Sequence, residues 1–437
     1  MMMETKNIKV CGIDPHKRMC WAVIVNGKHS TKEIEFRFDN SLNGALELVK
    51  ILRTHSCNTV VIENSNNFAY ALHEFLTGAD FTVELVGPAK VPPKNKKSDR
   101  IDAAWLAMMY LRDMVSPDYV PPKEIRQLRD LVRLRDLLVK QRTALKNNVH
   151  ANLTRGLFDI SQIVSDAFGK RGIKILETLA SENGSDASIL DLPEHVLHKY
   201  QSAVGNSFTT LINGVTLGIA TKTIKMLNAV IKELEDTIAL YVTRNEEIRR
   251  MVERAMSIDG VGLITAATIV AEVGEFKRFS SKKEISAWAG MTPDTSESNG
   301  KQISHGITKR GSPHIRRVLC EAANVIVLHG KPKGLYKFYK RIMYRKGRKV
   351  AIVALGHKLL RVIYTLITED KEYEDETNNR DGARYRSGKE RHNKKLRMLL
   401  RRSKAGEDVL RRYSSEAARE YIRSGMYEMP REKVEVR

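Results

Sequence analysis

Four acids in the first 102 residues stand where acids can do chemistry. Asp14 closes a short apolar run in Ile13-Asp14-Pro15-His16-Lys17, and Glu63 closes the run Thr59 to Ile62. Asp99 and Asp102 follow in Lys97-Ser98-Asp99-Arg100-Ile101-Asp102, at the start of an expected helix. Their three-residue offset puts both carboxylates on one helix face. Carboxylates brought from strand ends and a neighbouring helix to one point repel unless a cation lies between them. Hard oxygen ligands of this kind suit Mg2+ or Mn2+. A two-metal site stabilises both attacking and leaving oxygens in phosphoryl transfer. A plainer reading stays open: most of the 52 acids are solvated, and Asp99 alone serves well as a helix N-terminal acid favoured by the macrodipole.

Three later segments are also candidates. Ile258-Asp259-Gly260-Val261-Gly262-Leu263 is an apolar–glycine turn opening a small-residue helix. As a helix-hairpin-helix-like turn it would offer the backbone N–H groups of Gly260 and Gly262 to a phosphate; otherwise it is a tight turn packing two helices. Thr308-Lys309-Arg310-Gly311-Ser312-Pro313-His314-Ile315-Arg316-Arg317 is a basic cluster. Lys309, Arg310, Arg316 and Arg317 are candidates for phosphate contact, against the alternative of a solvated charged face. Between these lies Pro293-Asp294-Thr295-Ser296-Glu297-Ser298-Asn299-Gly300-Lys301, which reads as a polar, flexible loop.

The elements that must position these residues are legible in the patterning. Ile8 to Ile13 and Cys20 to Val25 are strand-like, Asn26-Gly27 suits a tight hairpin, and Lys32 to Phe38 alternates as an exposed third strand does. Ser41 to His55 is amphipathic and helical, Thr59 to Ile62 a strand, Phe68 to Leu76 a helix, Phe81 to Val86 a strand, and a helix starts near Ser98. A mixed sheet flanked by helices follows. Glu124 to Leu153 and Ile224 to Val242 read as long amphipathic helices, forming an antiparallel pair, a dimer seam, or ordinary bundle helices. Residues 154 to 223 are poorly patterned. These signals divide the chain into an α/β domain over 1–115, a helical linker or coiled-coil region over 116–255, a mainly α domain over 256–370 and a basic tail over 371–437.

Composition bounds the partners. The chain has 437 residues, 42% apolar and 29% charged, which excludes wholesale disorder. Its 74 Lys and Arg against 52 acids give a net charge of +22, and an excess of that size calls for a polyanion, DNA or RNA. Cys11, Cys20, Cys57 and Cys320 form no Cys-x-x-Cys pair, which argues against a zinc ribbon or disulfide framework and fits a reducing cytoplasm. MMMETKNIK has no apolar h-region, so no secretory signal is expected. The uncharged stretch from Gln201 to Thr221 is too polar to span a membrane, so no membrane partner is expected.

Two sets of motifs, in order, carry a family resemblance. Gly12-Ile13-Asp14-x-His16-Lys17, Glu63 and Lys97-Ser98-Asp99-Arg100-Ile101-Asp102-Ala103 make up the first. The second runs from Gly260-Val261-Gly262 with Ala266-Ala267, through Phe279-Ser280-Ser281 and Ala289-Gly290-Met291-Thr292-Pro293. It continues with Ile307-Thr308-Lys309-Arg310-Gly311, Arg316-Arg317 and Lys346-Gly347-Arg348-Lys349-Val350-Ala351. Over roughly residues 8 to 368 the chain resembles the DEDD transposases of bacterial and archaeal insertion sequences, relatives of the Piv-type DNA invertases. The resemblance implies a RuvC-like, RNase H-type first domain whose Asp14, Glu63, Asp99 and Asp102 bind Mg2+. It implies a nucleophilic serine, which aligns with Ser298, although Asn299 replaces the family's usual glycine; Ser296 is the fallback. It further implies a structured bridge RNA pairing with donor and target DNA. An oligomer, dimer or tetramer, is implied because the family joins the acids of one subunit to the serine of another. Two competing functions remain at this level: a RuvC-like metal-dependent nuclease or junction resolvase, and a non-catalytic nucleic-acid-binding protein. No Gly-x-x-x-x-Gly-Lys-Ser/Thr motif is present, so no ATP site of that kind is expected.

Overall fold

The computed structural model describes residues 9–27, 33–65, 67–93, 99–181, 193–298, 301–375 and 382–413. The chain forms two compact units that divide between Pro121 and Pro122.

The first unit is a mixed sheet with helices on both faces. Its strands are β1 (Lys9–Asp14), β2 (Met19–Asn26), β3 (Glu33–Asp39), β4 (Thr59–Glu63) and β5 (Thr82–Val86), in the order β3-β2-β1-β4-β5. The first three form an antiparallel meander, while β4 and β5 run parallel to β1. The helices are α1 (Leu42–Thr54), α2 (Asn67–Gly78) and α3 (Asp99–Leu111). The alternation of β1 and β4 explains why both sheet faces are covered. Cys11, Ile13, Val60 and Ile62 pack with Leu48, Leu52, Leu72 and Leu76 of α1 and α2. Val10 and Val61, one residue out of phase, pack with Ala103, Ala104 and Ala107 of α3. Strands buried on both faces must be apolar throughout, so the polar residues at the ends of β1 and β4 stand out. The β2–β3 connection differs from the two-residue hairpin expected at Asn26-Gly27. Val25 pairs with Glu33, which makes the loop longer, although Gly27 does take a positive φ of 81°.

The second unit is helical apart from one hairpin. It contains α4 (Lys123–Arg155), α5 (Lys170–Ala180), α6 (Glu194–Gly205), α7 (Gly214–Arg244), α8 (Glu246–Met256), α9 (Leu263–Val273) and α10 (Lys282–Trp288). The hairpin β6 (Pro293–Ser298) and β7 (Lys301–Ile307) follows, then α11 (Pro313–His329), α12 (Lys333–Thr368) and α13 (Gly382–Tyr413). The two long expected helices pair antiparallel within the chain. Tyr241 Oη donates to Gln127 at 2.7 Å, Arg135 meets Glu235 at 2.8 Å, Arg142 meets Asn228 at 2.8 Å and Asn152 Nδ2 donates to Asn213 O at 2.9 Å. One end of this pair joins a large cluster running from Ile125 and Leu128 through α8–α12 to Leu399. The other end joins α5 and α6 around the fully buried Tyr200, which places the poorly patterned 154–223 segment.

The basic tail contains a helix that packs on the rest of the unit. Within it α13 carries buried Leu399 and Val409, and Arg402 bonds Glu235 of α7 at 2.7 Å. Two apolar contacts in a helix of this charge density leave little trace in a hydropathy pattern. Helix α12 has the length and apolar composition to cross a membrane, but its apolar half packs Ala351, Leu355, Leu359, Leu360 and Ile363 into the large cluster.

Candidate active site

Asp14 is the last residue of β1 and only 6% exposed. Glu63 is the last residue of β4 and half-buried. The strands are parallel with Ile13 opposite Ile62, so the two acids stand at the same ends of neighbouring strands, where strand spacing is about 4.8 Å. By the two-residue alternation both belong to the face that α3 covers. Gly12 brings that helix close: a Cβ there would lie 2.0 Å from the carbonyl oxygen of Ala103. A residue with any side chain would hold α3 off the strand. Asp102 stands one residue before this crossing and is half-buried, so the packing at Gly12 fixes how close it comes to β1. Asp99 begins the same helix; its side chain lies outside the described residues.

The surroundings hold these positions. His16 Nε2 lies 3.3 Å from Asp14 Oδ2, and Asn40 Nδ2 donates to the carbonyl of His16 at 3.2 Å. Beyond β4, Asn64 Nδ2 donates to Asp118 at 3.0 Å. Trp105 Nε1 donates to Pro92 O at 2.9 Å, tying the preceding loop to α3. Among the described residues no three His, Cys, Asp or Glu side chains are grouped closely enough to hold a metal ion, and the Asp99 side chain is not among those residues. Burial pushes the Cys20 and Cys57 thiols up to about 11 and raises Cys11 as well, so none is a thiolate at neutral pH.

In the second unit, Ser298 is the last residue of β6 and pairs with Lys301. The segment 293–301, expected as a flexible loop, is therefore a hairpin with Ser298 beside its tip and Ser296 two residues back. The missed signal was Asn299-Gly300, a dipeptide favoured in two-residue hairpins.

The glycine turn joins α8 to α9, with Gly260 at φ 97°. A Cβ on Gly260 would lie 2.6 Å from Ile326 Cγ1, so this glycine lets α11 pack closely; Gly262 is open. The turn's carbonyls hold a cation already. Lys395 Nζ of α13 donates to the carbonyls of Met256, Ile258 and Val261 at 2.8, 2.7 and 3.0 Å.

The basic cluster divides in two. Lys309 and Arg310 are exposed. Arg316 donates to the carbonyls of Ala289 and Gly311 at 3.2 and 2.9 Å, locking the turn that carries them. Arg317 meets Asp136 at 2.8 Å, as His314 does at 2.7 Å. Nearby Glu272, 3% exposed, accepts a two-pronged bond from Arg133 at 2.8 and 2.9 Å. Burial opposes the charge of Asp136 and Glu272, yet Lys140, Arg317 and His314 hold the first below its ordinary range, and Arg133 the second. Nothing in the sequence separates these two acids from the solvated ones.

Comparison with known proteins matches two separate stretches of the chain. A model described as a transposase with the DEDD signature of IS110 matches residues 11–157. A model described as the transposase IS116/IS110/IS902 family matches residues 252–340. The chain is a transposase of the IS110/IS116 family. It is similar to the transposase for insertion sequence element IS1111A of Coxiella burnetii, 25% identical over 84% of this chain and 92% of that protein. The transposase for insertion sequence element IS1328 of Yersinia enterocolitica is 26% identical over 83% and 98%. The pilin gene-inverting protein of Moraxella bovis is 28% identical over 33% of this chain and 45% of its own. The transposase is thus a DNA-recombination enzyme. Its first matched region runs from β1 through α4, with Asp14, Glu63, Asp99 and Asp102 inside it, and its second contains the glycine turn, the serine hairpin and the basic cluster.

Proposed function

We propose that the transposase cuts and rejoins DNA with Asp14, Glu63, Asp99 and Asp102 as a divalent-metal site and Ser298 as the nucleophile, guided by a structured RNA. The observation that carries this reading is the placement of Asp14 and Glu63 at the same ends of adjacent parallel strands, under a helix drawn in at Gly12. The strand order and the covering helix support a RuvC-like, RNase H-type first unit. The donors are carboxylate oxygens, one of them buried, and they fit a hard cation such as Mg2+ or Mn2+. Bound there, the ion would stabilise charge developing on the phosphate and the leaving oxygen.

The chain's own residues account for the rest. Asn40 holds the turn after β1, which keeps His16 against Asp14. Ser298 Oγ attacks the scissile phosphorus and gives up its proton, one P–O ester bond breaks, and the departing sugar oxygen takes up a proton, so the count is unchanged. The new serine–phosphate ester keeps the bond energy, so reversal by another sugar hydroxyl needs no nucleotide. A donor and a target duplex are the substrates. Lys309 and Arg310 contact phosphates, while Arg316 and Arg317 hold the turn that presents them. The acids and the serine belong to different units, and an oligomer that joins acids of one subunit to the serine of another follows the family resemblance, as does the guide RNA.

One experiment tests the pair. Reactions on supercoiled DNA, supplied with element DNA and its flanking transcript, are stopped and probed for protein–DNA adducts. Asp14→Asn and EDTA should each abolish strand exchange, and Ser298→Ala should abolish both exchange and adduct, with melting temperature unchanged. Exchange by Asp14→Asn would sink the metal site. An adduct mapped to Ser296, or free 3′-hydroxyl ends made by water attack, would overturn the serine assignment, and the latter would indicate a nuclease.

A further inference from the structure

Many cations of the second unit have internal partners. Arg133 holds Glu272, Arg135 and Arg402 share Glu235, Arg254 meets Asp370 and Glu372, and Arg317 meets Asp136. Helix α12 lies in a stretch of another kind. From Ala322 to Thr368 the chain has no Asp or Glu but eleven Lys and Arg. Seven of these cations, Lys337, Lys340, Arg341, Arg345, Lys346, Arg348 and Lys349, fall within 13 residues, and all seven are exposed. Lys340 lies over the ring of Tyr336, Arg341 over Phe338, and Arg345 donates to a carbonyl of its own helix. Among the described residues none of the seven has a carboxylate partner.

Their spacing is ordered. Lys337, Lys340, Arg341 and Tyr344 recur at three- and four-residue intervals and so share one helix face. From Lys337 to Lys346 the helix rises about 14 Å. Gly347, at φ 79° and ψ 169°, then breaks it, and Arg348 and Lys349 begin the next segment in a new direction. Residues 344–350 are all exposed, and Tyr344 is 78% exposed. Seven like charges so close repel one another, and a polyanion would relieve that repulsion.

We infer that the arm of α12 from Lys337 to Lys349 is a binding surface for the phosphodiester backbone of duplex DNA. Charge complementarity selects the polyanion. The scarcity of presented aromatic rings selects a duplex over a single strand, because single strands are held largely by stacking on several rings. Tyr339 is buried and stacks on Tyr336, which leaves Tyr344, whose hydroxyl can donate to a phosphate. A straight 14 Å arm lies beside about four phosphates of one strand at 3.4 Å of axial rise each. The inference rests on the transposase's action on DNA and on neither the metal site nor Ser298, so those assignments can fail without it.

The test is duplex binding by the full-length protein across a salt series, measured by fluorescence anisotropy with a DNA carrying no element sequence. The variant Lys337→Gln/Lys340→Gln/Arg348→Gln/Lys349→Gln should weaken binding. It should also flatten the log–log salt slope by about 3.6, at 0.9 for each phosphate that is no longer neutralised. A reference variant removes equal charge from exposed positions of α5–α7: Lys170→Gln/Lys174→Gln/Lys199→Gln/Lys222→Gln. It should keep the slope. Equal losses in both variants would reduce the effect to net charge and overturn the surface. An unchanged DNA slope with a fallen slope on an RNA hairpin would assign the surface to RNA and equally overturn the proposal. If the fourfold variant melts early, Arg348→Gln/Lys349→Gln alone should flatten the slope by about 1.8, and no change there would count against it.

Discussion

At the scale of single residues, the smallest side chain has the largest positional effect. Gly12 is not required by its own backbone angle; it is required by the helix that crosses it, whose Ala103 carbonyl would stand 2.0 Å from a Cβ. Gly12→Ala must therefore push α3 away from β1 and take Asp102 with it. Overpacking of this kind costs about 1–3 kcal/mol. We expect a lowered melting temperature for the first unit and a loss of strand cleavage larger than the unfolded fraction explains, with duplex binding by the second unit preserved. A variant that melts like the parent and cleaves normally would show that the close approach does not position the acid. The family motif contains this glycine, but a motif reading treats it as punctuation before Asp14.

At the scale of elements, the buried acids of the second unit set how its helices meet. Glu272 on α9 accepts both prongs of Arg133 on α4, and Asp136 on α4 gathers His314 and Arg317 from α11. Arg133 is 45% exposed, so water can take over part of its charge when the partner is lost. Glu272→Gln should then cost about 1–3 kcal/mol rather than the full penalty of a sealed ion pair. The pH dependence follows from the direction of the shifts. Glu272, Asp136 and Glu235 are held below their ordinary values of 4.5, 3.8 and 4.5. Their contribution is present above those values and is lost as pH falls through the lower folded ones. Burial also pushes His357 and His392 below 6.5. The unfolded chain therefore binds those protons first, and stability begins to fall below about pH 6.5. Buried Asp236, raised by burial, works in the opposite direction and blunts the acid loss. A melting-temperature series should show a plateau above about pH 7 and a decline toward pH 4, smaller in Glu272→Gln. A melting temperature that climbs on acidification would contradict the assignment.

At the scale of the whole molecule, the tail is part of the second unit's structure. Helix α13 contributes buried Leu399 and Val409, bonds Glu235 through Arg402, and seats Lys395 in the carbonyls of the α8–α9 turn. Ending the chain at residue 375 removes all of these. Two buried aliphatic side chains alone are worth about 3 kcal/mol or more. At about 2.1 cal/mol/K of unfolding entropy per residue, that corresponds to a drop of about 5 °C in the melting temperature of a unit this size. A basic arm that only binds nucleic acid would instead leave the melting curve untouched and change affinity. Calorimetry of the truncated chain separates the two outcomes.

The amino-acid pattern by itself determined the order of elements in the first unit, because strands buried on both faces must be continuously apolar and helices must be amphipathic. It also determined that Asp14 and Glu63 end such strands, and the two ordered motif sets identified the family. Other features depended on which parts of the chain meet. The pairing of Ile13 with Ile62, which brings the two acids side by side, joins residues far apart in sequence. Whether a basic residue faces solvent or a buried carboxylate is equally a matter of contact. Arg317 and Lys309 read alike in the chain, yet one meets Asp136 and the other is exposed. Leu396 to Leu400 could start a helix in the tail, but its docking was hidden because a few apolar contacts can seat a highly charged helix without giving it a visible hydrophobic period. Local composition records what each segment can bury, and only the folded chain decides what is there to bury it against.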